Sequence, residues 1–190
     1  MNQKSINLQY EILLQLIKQS QHGRNVAKQI SASLTTIQRI LKDLMNLNIL
    51  DYKQQGKNKI FFIKDNLVAK RYVYNAENYK FLQLIEKYPI LQSIIIRILG
   101  QSNSSLIILF GSYAKFNANK SSDLDIYISS KENLDNIYSK LSIKSGKFNT
   151  KDLLIKEIIN NHIIIRGVEE FYEKTEFFNE VEEREKTYLS

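Results

Sequence analysis

The stretch of residues 105–128 constrains the fold of this chain more than any other part of the sequence. Residues 106–110 form a continuous apolar run that ends abruptly at Gly111-Ser112, and such a run is typical of a strand buried on both faces. After ten further residues, the segment 123–128 begins with Asp-x-Asp and continues as a second apolar strand. Because side chains alternate along a strand, Asp123 and Asp125 should lie on one face.

This arrangement indicates a site for phosphates and a metal ion. Gly111 lets a backbone or a phosphate come close, and Ser112 can cap a helix that starts there. The free N–H groups at a helix N-terminus suit a triphosphate. Two neighbouring carboxylates are costly unless a cation bridges them, and hard oxygen ligands favour magnesium or manganese.

This part of the chain resembles the DNA polymerase beta-like nucleotidyltransferase superfamily. The resemblance lies in the motif, in which Gly-Ser is followed after ten residues by Asp-x-Asp, with an apolar strand on each side. The resemblance covers about residues 90–170 and is nearest to the minimal nucleotidyltransferases of prokaryotes, some of which are antitoxins that adenylylate a HEPN-type toxin. It implies that Asp123 and Asp125 are the catalytic residues and hold Mg²⁺ or Mn²⁺. It also implies that Gly111, Ser112 and Lys115 bind ATP or another NTP. The enzyme would then transfer a nucleotide, with AMP favoured, to a hydroxyl of a protein or an RNA.

One departure from the superfamily concerns a third carboxylate, which active members usually carry on the following strand. We expect a helix over residues 131–141 and then a strand over 143–149, which contains no acid. Asp152 follows, but the sequence favours another role for it, that of an acid in the first turn of a helix that is capped by Thr150 and ends at Asn160. His162 could be a base or a nucleotide contact, although a structural role is favoured. The alternative function is therefore a transcription regulator whose nucleotidyltransferase fold has become a nucleotide sensor or a dimerisation module.

The N-terminal third carries the whole charge excess. Residues 1–70 hold 11 Lys and Arg against 4 Asp and Glu, whereas residues 71–190 hold 16 of each. Helical spacing predicts three helices: one over residues 8–19, a short one capped by Asn25, and one that is capped by Ser33 and ends at Leu47. A hairpin with strands near 49–52 and 60–63 is predicted to follow.

This order of elements over residues 6–65 resembles the winged helix-turn-helix domain of prokaryotic transcription regulators. A basic domain of this kind implies DNA binding by the third helix in a major groove, with a wing beside the backbone. The DNA-binding candidates are Thr35, Thr36, Gln38, Arg39, Lys42 and Lys57. The alternative is a winged helix that serves dimerisation or protein contact.

These observations predict an α/β (α+β) protein with a winged helix at residues 1–66, a connector helix at 67–89 and a nucleotidyltransferase domain at 90–190. That domain should contain a small mixed sheet flanked by helices and end in a helix over 168–188. The chain has no cysteine, which excludes disulfides and thiol nucleophiles. No signal peptide or apolar run of membrane length is present, so we expect a cytoplasmic protein with no membrane partner. A homodimer is left open.

Overall fold

The computed structural model describes residues 3–132, 134 and 136–178. These residues divide into two compact units, one comprising the chain up to Tyr79 together with the residues from Glu176 on, and the other comprising residues 80–175. The boundary at Tyr79 lies within a long helix. The limits at residues 66 and 89 expected from the sequence stay predictions.

The first unit contains a helical layer and a small sheet. Its elements are α1 (Gln3–Lys18), β1 (Gln21–His22), α2 (Gly23–Ile30), α3 (Leu34–Asn46), β2 (Leu50–Gln55), β3 (Asn58–Ile63) and the first part of α4 (Leu67–Lys87). The strands pair antiparallel in the order β1-β3-β2. The apolar face of α3 is buried as its spacing predicts, and the Ser33 hydroxyl oxygen accepts the Thr36 N–H.

The start of one helix in this unit, α2, differs from the sequence expectation. α2 begins at Gly23 with His22, not Asn25, at the N-cap position, because the extended β1 leads directly into the helix. α4 begins at Leu67, where the Asn66 side chain accepts the Ala69 N–H and so caps the first turn.

The second unit contains a mixed four-stranded sheet with helices. Its elements are α5 (Ile90–Gln101), β4 (Ile107–Phe110), α6 (Gly111–Ala114), β5 (Leu124–Ile128), β6 (Leu141–Ser145), α7 (Leu153–Asn160), β7 (Ile163–Arg166) and α8 (Val168–Lys174). The strand order is β6-β5-β4-β7, with β5 and β6 parallel and the other pairs antiparallel. The predicted mixed sheet flanked by helices is therefore confirmed.

One face of this sheet forms the main core with α5. Alternate residues of β4 and β5 pack with four buried residues of the helix, Leu91, Ile94, Ile95 and Ile98. The Arg166 guanidinium donates to the carbonyl oxygens of Leu99, Ser102 and Ser104, which satisfies the C-terminal end of α5. Hydrogen bonds from the Ser102 hydroxyl and the Asn103 N–H, together with the charge of Arg166, lower the pKa of the neighbouring Glu132.

Three expectations for the segments after β5 are wrong. The described residues of 131–140 are not helical, and Asn136 adopts a left-handed φ of 54° while its carbonyl accepts from Arg97. The predicted strand over 143–149 instead runs from Leu141 to Ser145, because Gly146 has a φ of 154°. The N-cap residue of α7 is Asp152 and not Thr150.

The predicted C-terminal helix is interrupted. α8 ends at Lys174, and Glu176 has a left-handed φ of 53°. Residues 179–188 of that prediction lie outside the described residues. Among the described helices, none is both long enough and apolar enough to cross a membrane.

Candidate active site

The end of β4 and the start of β5 bring Gly111 and Asp125 together. Phe110, the last residue of β4, pairs with Asp125 of β5, and Gly111 follows directly as the first residue of α6. Gly111 has a φ of 69°, and a Cβ atom added to it would lie 2.3 Å from Asp125 Oδ2. A carboxylate can lie this close to the backbone only because residue 111 is glycine.

The carboxylates of Asp123 and Asp125 are both accessible at this point. Asp123 immediately precedes β5 and is exposed, whereas Asp125 is half-buried. Neither side chain has a hydrogen bond or an ion pair with another described residue. A half-buried carboxylate without a protein partner fits a hard divalent cation, so this donor set suits Mg²⁺.

Ser112 does not cap α6 as predicted. The N-cap position belongs to Phe110, and Ser112 lies within the first turn. Its carbonyl oxygen accepts the Asn117 N–H at 3.1 Å, so the loop after α6 folds back onto the helix. The Ser112 hydroxyl makes no hydrogen bond with another described residue and is free to meet a ligand.

Lys115, at the C-terminal end of α6, forms an ion pair that the sequence did not suggest. Its Nζ lies 3.2 Å from Glu157 Oε1 on α7, and the two side chains are 40% and 48% exposed. Sequence spacing gives no signal for this pair, because Glu157 reaches α6 only through the packing of α7 on the sheet.

β6, the strand beside β5, carries hydroxyl side chains but no acid. In the parallel pairing of β5 with β6, Ser142 lies opposite Asp125. Asp152 instead accepts a hydrogen bond from Asn149 Nδ2 at 3.2 Å. Within residues 3–132, 134 and 136–178 no group of three His, Cys, Asp or Glu side chains could hold a metal ion.

Aromatic packing closes the neighbouring part of the Asp125 face. Tyr127, two residues further along β5, is 2% exposed and donates its hydroxyl hydrogen to Gly146 O at 2.7 Å. Burial, aided by the charge of Glu170, raises the pKa of Tyr127 to about 12. Tyr127 therefore stays protonated at neutral pH and cannot serve as a base there.

His162 is a packed residue. It is 5% exposed, its Nδ1 lies 2.9 Å from Ile159 O, and its ring centroid lies 4.3 Å from that of Phe171. This placement agrees with the structural role favoured from the sequence.

The DNA-binding candidates lie on two surfaces of the first unit. Four of them are exposed on α3: Thr35, Gln38, Arg39 and Lys42. Thr36 is half-buried, and its hydroxyl lies 2.7 Å from that of Ser33. Arg39 faces Asp43 at 3.7 Å in an exposed pair, and Lys57 is exposed in the turn between β2 and β3.

The second unit thus combines a mixed sheet, a Gly-Ser pair directly after one strand and two carboxylates at the start of the next. The protein-family model described as polymerase beta, nucleotidyltransferase matches residues 93–177. This match supports the nucleotidyltransferase superfamily and a nucleotidyltransferase enzyme. Comparison with curated proteins and with solved structures gives no match.

Proposed function

We propose that this protein is a magnesium-dependent enzyme that transfers AMP from ATP to a hydroxyl of a protein or an RNA. The observation that carries the proposal is the Asp125 carboxylate lying against the Gly111 backbone, with Asp123 two residues before it. Phosphoryl-type transfer depends mainly on positioning and charge neutralisation, so few side chains are needed.

The transfer joins the acceptor oxygen to the α-phosphorus of ATP. The bond between the α-phosphorus and its bridging oxygen breaks, pyrophosphate leaves with the electron pair, and the hydroxyl proton passes to solvent. The Gly111 backbone, Ser112 and Lys115 bind the phosphates, and Asp123 and Asp125 would hold Mg²⁺. When bound, Mg²⁺ neutralises the charge that develops on the phosphate oxygens.

We further propose that the first unit binds DNA through α3 and the β2–β3 turn. The basic charge of residues 1–70 and the exposed polar face of α3 support this role. An antitoxin that modifies a HEPN-type toxin and represses its own promoter would use both units.

The direct test is incubation with Mg²⁺ and α-labelled NTPs, alone and in cell lysate. The double variant Asp123→Asn, Asp125→Asn is the control. Label that moves to a protein or RNA band with the wild type, and not with the variant, would support the proposal. Absence of transfer under all conditions would contradict it.

The alternative is a transcription regulator with a nucleotide-sensing domain. Ser142 opposite Asp125 favours it, because a neutral hydroxyl has neither the negative charge nor the basicity of a carboxylate. In that case the protein would bind a nucleotide with Mg²⁺, transfer nothing and change its affinity for DNA.

Glu157→Gln is expected to strengthen ATP binding about threefold, because the variant no longer holds the Lys115 ammonium away from the phosphates. Lys115→Gln should weaken binding, and adding Glu157→Gln to it should change nothing more. Isothermal titration of the three variants with ATP and Mg²⁺ measures this coupling. An equal effect of Glu157→Gln in both backgrounds would show that the ion pair does not control Lys115.

The double variant Arg39→Ala, Lys42→Ala is expected to weaken DNA binding about tenfold and to reduce its salt slope by about 2, because two phosphate-neutralising charges are lost. Fluorescence anisotropy with duplex DNA at several salt concentrations measures both quantities. Lys87→Ala, Lys131→Ala removes the same charge from the other unit and should leave binding unchanged. Similar losses in the two variants would point to a general charge effect.

A further inference from the structure

β6 forms one edge of the sheet in the second unit. The strand order is β6-β5-β4-β7, and within the part of the chain that the structure describes β6 pairs with β5 alone. The first three residues of β6 are half-buried, and Lys144 and Ser145 at its end are exposed. By contrast, Ile163 and Ile164 of β7, at the other edge, are buried. β6 is therefore the more accessible edge of this sheet.

The register of β6 shows which of its backbone groups face outward. In a parallel pair, alternate residues of a strand direct their N–H and C=O groups to the neighbouring strand. The Leu124 N–H of β5 donates to Lys140 O at 2.8 Å, so Lys140 and every second residue after it face β5. Ile143 and Ser145 consequently direct their N–H and C=O groups away from the sheet. Outward groups of this kind offer hydrogen bonds to an added strand.

Positive charge follows the same strand. Residues 136–151 contain four lysines and no acid. Lys144 lies in β6, and Lys147 directly follows Gly146, whose carbonyl oxygen accepts the Tyr127 hydroxyl and is thereby held beside β5. Lys144 and Lys147 are exposed, and neither ammonium group has a hydrogen bond or an ion pair with another described residue. A strand added here would meet positive charge that no described acid neutralises.

We propose that the outward side of Leu141–Ser145, which we call the β6 edge, binds an extended acidic segment of a partner protein, and that this segment joins the sheet as a further strand. Charge excludes a second copy of this chain as the occupant, because it would bring a second set of the same lysines to the edge. A nucleic acid would satisfy the lysines but has no row of N–H and C=O groups to match Ile143 and Ser145. This inference goes beyond the proposed transfer and does not depend on it.

The first test measures the binding of a fluorescein-labelled, capped peptide of alternating glutamate and valine to the full chain by anisotropy. Ser145→Pro removes an outward N–H, and the fold should persist because that N–H does not bond to β5. We expect Ser145→Pro to weaken binding about tenfold, the effect of losing one hydrogen bond and adding a ring at the edge. Ser145→Ala keeps the N–H and should bind as the wild type does. Equal binding by the two variants would overturn the proposal.

Amide hydrogen exchange of the wild type, followed by NMR, tests the same geometry without a substitution. With the peptide bound, the N–H groups of Ile143 and Ser145 should exchange at least about tenfold more slowly. The N–H groups of Ser142 and Lys144 already face β5 and should change little. Binding that leaves the exchange of Ile143 and Ser145 unchanged would show that the peptide does not add as a strand, and would overturn the proposal.

The double variant Lys144→Gln, Lys147→Gln tests the acidic character of the partner. We expect it to weaken binding of the glutamate peptide about tenfold at low salt, because two charges beside the added strand are lost. Lys18→Gln, Lys28→Gln removes two exposed lysines elsewhere and should leave binding unchanged. Equal affinity for a peptide with lysine in place of glutamate would overturn the proposal. Tighter binding of a single-stranded oligonucleotide to these two lysines than of the peptide would assign the edge to nucleic acid and would also overturn it.

Discussion

Asp125→Asn is expected to reduce nucleotide transfer by about 100-fold or more, a loss typical of removing one group that stabilises the charge of a transition state. Asparagine keeps the shape of the side chain beside Gly111 but removes the negative charge that would hold Mg²⁺. The fold should be unaffected, because Asp125 has no side-chain partner among the described residues. Transfer of α-labelled AMP and thermal unfolding of the same preparations measure the two effects.

Asp152→Asn is the matched control for this substitution. Asp152 is an exposed carboxylate of the second unit. It lies at the N-cap position of α7 and accepts a hydrogen bond from the Asn149 side chain. The Asp152→Asn variant should transfer AMP at the wild-type rate. If Asp125→Asn transfers at the wild-type rate, Asp125 does not hold the metal ion and the candidate site is wrong.

Gly111→Ala is expected to abolish transfer and to destabilise the protein. The new Cβ would lie 2.3 Å from Asp125 Oδ2, so the carboxylate must move away from the start of α6. The left-handed φ of 69° adds about 1–2 kcal/mol of backbone strain for any residue with a Cβ. Both effects are measured by the transfer assay and by urea unfolding.

Alanine variants of two other glycines show how much of the effect comes from the contact with Asp125 and how much from the positive φ. Gly56 has a φ of 58° with no atom within 4 Å of its added Cβ, so Gly56→Ala reports the backbone cost alone. Gly100 has open space and no positive φ, so Gly100→Ala should cost little. If Gly111→Ala loses no more stability than Gly56→Ala and keeps its activity, the contact with Asp125 is unimportant.

The parts of the site that lie close together in the sequence could be predicted. Strand alternation, an apolar run and a glycine depend on neighbouring residues only, and they were sufficient to place Gly111 and Asp125 at the ends of two strands. The end of β6 just before Gly146 was missed, because an unusual φ leaves only a weak pattern in the sequence.

Contacts across long stretches of sequence could not be predicted. The Lys115–Glu157 pair depends on how α7 packs, and Ser142 opposite Asp125 depends on the register of a parallel strand. Similarly, the predicted helix over 131–141 had an adequate apolar pattern, but Arg97 binds the carbonyl oxygens of Asn136 and Ile137 and holds that segment in another conformation. Neither hydropathy nor helix propensity contains this information.

The antiparallel pairing of β4 with β5 also has a consequence for how the site forms during folding. Gly111 directly follows β4 and Asp125 lies in β5, the next strand along the chain, so bringing them together closes only a short loop, at a small cost in chain entropy. β7 must instead return from far along the chain to pair with the other edge of β4. The contact between glycine and carboxylate therefore has low contact order, and we expect it to form early, before the slower arrival of β7 completes the sheet.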